Sequence, residues 1–154
     1  MKIKTYLLLT LLALPSSNFA SEPTMTIYKT PSCGCCQKWV DHVNENGFST
    51  KTVSLNDLST IKSKFGVTGR YQSCHTGVVN TGQTEYVFEG HIPAKYVDQF
   101  LANPPDGAIG LSVPGMPAGS PGMEVGDRRD YYRVILLKEN GENEVYAHVN
   151  QPEQ

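Results

Sequence analysis

The segment "PSCGCCQKW", Pro31 to Trp39, places Cys33, Cys35 and Cys36 within four positions. It lies between a short β-prone run, Thr26-Ile27-Tyr28, and an apolar pattern of helical period carried by Trp39, Val40 and Val43. A proline at position 31 favours an extended or turning chain at Thr30, so the strand ends there. The spacing predicts a helix from Gln37 to Asn46, with Gly47 placed to end it in a left-handed conformation. The chain is thereby committed to a strand–helix unit that carries its thiols at the start of the helix.

The remaining pattern extends this unit. Phe48 to Leu55 reads as a second strand, and Asn56 or Asp57 can cap a helix with Leu58, Ile61 and Phe65 on one face, stopped at Gly66. Val78-Val79 and Tyr86-Val87-Phe88 flank Asn80-Thr81-Gly82-Gln83 as a hairpin. Pro93 fits the first turn of a third helix that buries Val97, Phe100 and Leu101. This order predicts an α/β fold, a thioredoxin-like mixed sheet flanked by helices. Five of the ten prolines and six of the fourteen glycines fall between Asn103 and Gly126. That stretch is expected to be a long loop without secondary structure, held on one path by the fixed φ of Pro114, Pro117 and Pro121. Tyr132–Leu137 and Val145–Val149, turning at Glu139-Asn140-Gly141, predict an added C-terminal β-hairpin.

Residues 1–20 have the form of a signal peptide: Lys2 and Lys4 at the start, an apolar stretch from Tyr6 to Leu14, and a cleavage site after Asn18-Phe19-Ala20. Left uncleaved, the same segment would anchor the chain, and either way the rest lies outside the cytoplasm. Residues 21–154 are expected to form a single domain, exported to the periplasm, with no later apolar run long enough to span a membrane. The formal net charge is −2, and loss of Lys2 and Lys4 makes it more acidic. No basic run exists of the kind nucleic acid requires.

Three readings compete for the four cysteines, the fourth being Cys74. Structural crosslinking is the first, but spacing argues against it. A Cys33–Cys36 bridge contributes about 2 kcal/mol by loop closure and a Cys33–Cys74 bridge about 4, and a domain of this size needs neither. Thiol–disulfide exchange is the second, since a helix start lowers thiol pKa and favours a Cys33/Cys36 redox couple. It leaves Cys35 without a task. Metal binding is the third and employs every thiol, with Cys74 brought in by the fold. Soft sulfur selects Cu(I), Zn or iron–sulfur centres. The spacing matches neither zinc-finger nor iron–sulfur patterns, which leaves copper. Gln37 also stands where haem attachment needs histidine.

Other soft or borderline donors then become candidates. Met116 and Met123 bracket "MPAGSPGM", and thioethers discriminate for Cu(I), although either could simply fill the core. His75 adjoins Cys74 and His91 precedes Pro93, so both can face the site, the alternative being capping or surface roles. His42 and His148 read as structural or solvated, and Trp39 as a core residue able to shield the thiols from water.

With "SCGCCQKW", "SCHTGVV", "FEGHIPA" and "GLSVPGMPAGSPGME" occurring in that order, the chain resembles the CopG-type periplasmic copper-resistance proteins from Met25 to His148. The resemblance implies a thioredoxin-like fold with copper on Cys33, Cys35 and Cys36 of a CxCC motif and on Cys74, in a site able to hold a multinuclear Cu(I)–thiolate centre. It also implies redox work, interconverting Cu(I) and Cu(II) or coupling copper to thiol oxidation at the same four cysteines. The expected partners are copper ions and periplasmic copper-efflux or redox proteins. A metal-free thiol–disulfide oxidoreductase and a passive copper chaperone or store stay open as alternatives.

Overall fold

A computed structural model describes residues 23–152; the signal segment lies outside the described residues. Among them, no helix is long and apolar enough to cross a membrane. Strands β1 (Met25–Lys29), β2 (Thr50–Ser54), β3 (His75–Asn80), β4 (Glu85–Glu89), β5 (Ala108–Ser112), β6 (Tyr132–Lys138) and β7 (Glu144–Val149) form one mixed sheet in the order β2-β1-β3-β4-β5-β6-β7. Helices α1 (Gly34–Glu45), α2 (Ser59–Lys64) and α3 (Ala94–Ala102) flank it.

β1 and β2 pair in parallel across α1, and β4 and β5 pair in parallel across α3, while the remaining neighbours are antiparallel. Parallel neighbours need a crossover of this length. Both crossovers cover one face, where Trp39, Val40 and Val43 of α1 and Val97 and Phe100 of α3 pack on Met25 and Ile27 of β1 and Phe88 of β4. A smaller cluster of Val67, Val87, Ile135 and Leu137, with Phe65 against it, fills the opposite face beside α2. β3, enclosed on both faces, is buried at His75 through Val79, as expected of a central strand.

The expected β–α–β start, hairpin and closing helix are all present. The region from Asn103 to Gly126 departs from expectation, because it contains β5. This strand joins β4 to β6, so the C-terminal hairpin extends the main sheet instead of standing apart. Gly110 conceals it from sequence reading. A Cβ there would lie 1.7 Å from the Val87 carbonyl oxygen, so the close β4–β5 approach requires glycine in mid-strand. The C-terminal ends of β1, β4 and β5 and the N-terminal end of the antiparallel β3 all meet at one edge of the sheet. That edge carries the cysteines.

Candidate metal centre

α1 begins at Gly34, one turn earlier than its apolar period predicts, so Cys35 and Cys36 lie inside the helix and Cys33 is its N-cap. The Cys33 sulfur accepts the Cys36 N–H at 3.3 Å, a capping role that serine or aspartate usually fills. The turn before it is closed by the Cys33 N–H donating to the Thr30 carbonyl at 3.2 Å. Cys33 and Cys36 are joined in a disulfide, with Cα atoms 5.3 Å apart. Cys35 and Cys74 are free and half-buried, and the Cys35 sulfur lies 3.5 Å from that of Cys33.

Cys74 enters from the turn before β3, and its carbonyl oxygen is 3.7 Å from the Cys36 sulfur. The four sulfurs all lie within 4.8 Å of one another. Cys74, His75 and His91 form a second group that meets the same limit. The Cys74 sulfur is 3.0 Å from His91 Nε2 and 3.3 Å from His75 Nδ1. Cys74 therefore belongs to both groups.

Burial sets the protonation of this corner. It pushes the Cys74 thiol up to about 12, with the neighbouring Cys35 adding to the effect. Burial likewise holds His75 well below its ordinary value, reinforced by the charges of His91 and Lys62. His91 is lowered for the same first reason, although its bond to the Pro121 carbonyl opposes the shift. Both imidazoles are thus neutral at physiological pH, which is the metal-binding form. His75 is fully buried, its ring centroid 4.4 Å from that of Trp39 and tilted by 41°, and its Nε2 has no hydrogen-bond partner among the described residues. Trp39 is itself fixed by donating to the Ile92 carbonyl at 2.8 Å and is fully buried in the core against His75.

The proline-rich loop is ordered and packed on the site. His91 Nδ1 is 2.8 Å from the Pro121 carbonyl oxygen, an arrangement in which Nδ1–H donates and Nε2 turns its lone pair toward Cys74. Gly122 has φ +84°, and a Cβ there would stand 2.7 Å from the Cys35 carbonyl oxygen. Only glycine allows the loop to lie this close to the start of α1. Ser73 Oγ donates to the Gly115 carbonyl, tying the other end of the loop beside Cys74. Neither methionine of this loop fills the core: Met116 is 54% exposed and Met123 is half-buried. His42 has a structural task, accepting the Ala94 N–H at 3.0 Å, and His148 pairs with the Tyr131 hydroxyl at the surface.

Sequence reasoning missed the charged residues around the thiols. Glu89 is fully buried and accepts from the Ser73 N–H at 2.6 Å and from Thr76 Oγ1 at 2.6 Å. Lys62 of α2, buried as well, pairs with the Glu89 carboxylate and donates to Thr76 Oγ1 at 3.1 Å. Through Ser73, this network fixes the backbone that presents Cys74. No sequence signal pairs residues so far apart. Lys29 could have been found, since strand alternation puts it on the core-facing side of β1 with Met25 and Ile27.

The donor set, four clustered cysteine sulfurs of which Cys35 and Cys74 are free thiols, with two neutral imidazoles beside them, fits a soft metal such as copper once the disulfide is reduced. The profile of a family described as "Protein of unknown function, DUF411" matches residues 71–123. That span holds Cys74, His91 and the methionine loop and stops short of the CxCC helix. No curated protein matches the sequence. Two solved structures are similar over most of the chain. One, titled "Copper resistance protein copG- Form 1", is 38% identical with a TM-score of 0.76, covering 84% of this chain and 100% of its own. The other, titled "Copper resistance protein copG- Form 2", is 38% identical with a TM-score of 0.75, covering 82% of this chain and 98% of its own.

Proposed function

The chain belongs to the family of the CopG copper resistance proteins, and from that membership we propose that it is an exported copper-binding protein serving copper resistance. Its cargo is Cu(I), held as a multinuclear centre on Cys33, Cys35, Cys36 and Cys74, with His75, His91, Met116 and Met123 as further ligands. The observation that carries this reading is the convergence of four sulfurs within 4.8 Å of one another, with two imidazoles against the fourth. A thiol couple alone has no use for Cys35 and Cys74. The signal-like residues 1–20 support export and delivery to the periplasm.

The same site couples copper to thiol redox. Cys33 and Cys36, as a dithiol, give up two electrons and two protons to form their S–S bond, and two Cu(II) ions accept the electrons to become two Cu(I). The reverse step needs two Cu(I) as reductant and two protons. Cys35 and Cys74 stay reduced throughout, so sulfur and imidazole ligands persist when the disulfide is closed. A second reading, a metal-free thiol–disulfide oxidoreductase, is favoured by the disulfide at the start of α1; a third is a passive copper store.

Cys35→Ser separates these readings, because Cys35 lies outside the disulfide. The copper reading expects a lower Cu(I) capacity in this variant while the Cys33–Cys36 bridge still forms. Unchanged copper binding with intact exchange against glutathione would instead establish the oxidoreductase. A store would bind Cu(I) normally and fail to cycle it between oxidation states in the presence of electron donors and acceptors.

A further inference from the structure

A lysine enters a protein interior paired or well hydrogen-bonded, because an isolated buried ammonium is costly. Lys29 departs from this. It is 6% exposed, and its Nζ makes one long hydrogen bond, 3.4 Å to the Thr30 carbonyl oxygen. Among the described residues no carboxylate pairs with it, although an ammonium has three donors to satisfy.

The position of Lys29 relates it to the thiols. It ends β1 on the face shared with Ile27, and its register partner in β3 is His75. The Thr30 carbonyl that receives its Nζ is the one that receives the Cys33 N–H. A single carbonyl group therefore separates the ammonium from the turn that holds the CxCC sulfurs. No other buried lysine is described on this face; Lys62 is bound to Glu89 and Thr76 on the opposite one.

The charge of the ligand set supplies the reason for an unpaired cation here. Each thiolate brings one negative charge and each Cu(I) one positive, so a centre with more thiolates than copper ions is anionic. With Cys33 and Cys36 joined in a disulfide, two of the four thiolates that would carry that charge are absent. We propose that Lys29 is the counter-ion of the thiolate-bound copper, a positioning residue that favours the loaded, reduced site and is carried as an uncompensated charge by the metal-free, oxidised fold. This rests on the Cu(I)–thiolate reading above.

The test uses Lys29→Met, which keeps an unbranched apolar stem and removes the charge. The metal-free, oxidised variant is expected to melt at or above the wild-type temperature, and the reduced variant to bind Cu(I) about tenfold more weakly in chelator competition. Lys29→Gln keeps a hydrogen-bond donor without the charge and is expected to lose as much affinity as Lys29→Met. Wild-type affinity in Lys29→Met overturns the proposal, as does its failure to fold, which would make the ammonium structural. Wild-type affinity in Lys29→Gln overturns it too, because the bond to Thr30 would then be what matters. A wild-type protein that takes up no Cu(I) overturns the thiolate reading along with the counter-ion, and is recognised before any variant is made.

Discussion

Two buried lysines stand at the same edge of the sheet on opposite faces, and their surroundings differ. Lys62 is enclosed by Glu89 and Thr76, and the Glu89 carboxylate is completed by the Ser73 N–H. Lys29 has one long bond to a carbonyl. The contrast extends to their neighbours. On the Thr76 face Lys62, Thr76, Glu89 and the Ser73 N–H pair with one another. On the His75 face an imidazole nitrogen has no partner among the described residues, and Cys35 and Cys74 carry free thiols. A fully paired buried network specifies structure, and buried polar groups left over are expected where function is. One face of the sheet thus fixes the Cys74 turn, and the other carries the residues proposed as copper ligands.

Breaking the paired face should have the largest effect. Lys62→Met leaves the Glu89 carboxylate buried without its cation and is expected to cost about 3–5 kcal/mol in urea denaturation, while Lys62→Met/Glu89→Leu recovers most of it. Burial already raises the Glu89 pKa against the pull of Lys62, which agrees in direction. A loss below about 1 kcal/mol in the single variant would make the two lysines equivalent and dissolve the contrast.

Gly122→Ala probes the loop where it touches α1. With φ at +84° and the Cys35 carbonyl 2.7 Å from the new Cβ, a loss of about 1–3 kcal/mol is expected. Chelator competition should show weaker Cu(I) binding at the same time. Lower stability with undiminished affinity would detach the loop from the metal centre.

Met116→Ala should do the reverse. Its side chain is 54% exposed, so the melting curve should move by no more than about 0.5 kcal/mol while Cu(I) affinity falls. Wild-type affinity would assign Met116 to the surface. The smallest effect belongs to Glu85→Gln, which breaks an exposed 3.9 Å pair with Lys64 and should cost less than about 1 kcal/mol with no change in copper binding.

Much of this contrast was invisible in the sequence, for identifiable reasons. Strand–helix alternation located β1, α1, the β3–β4 hairpin and α3, because each has an apolar period that its packing obeys. β5 escaped because a five-residue strand with a central glycine has no readable period, and Gly110 is there for the close backbone of Val87. The early start of α1 escaped because its cap is a cysteine sulfur. At the site, the residue types of soft-metal chemistry marked the thiols and the two histidines. Glu89 and Lys62 look like ordinary strand-end and helix-surface charges until the sheet brings them together. Lys29 was legible through alternation alone, as the one charged residue in a core-facing row of β1.

The central claim is that the four sulfurs act together on copper. The measurement that tests it most directly is an anaerobic titration of the fully reduced protein with Cu(I) against a competing chelator, with free thiols counted in parallel. More than one Cu(I) per chain, with all four thiols protected from alkylation, is the predicted result. One ion or fewer per chain, with Cys35 or Cys74 still open to alkylation, would contradict it.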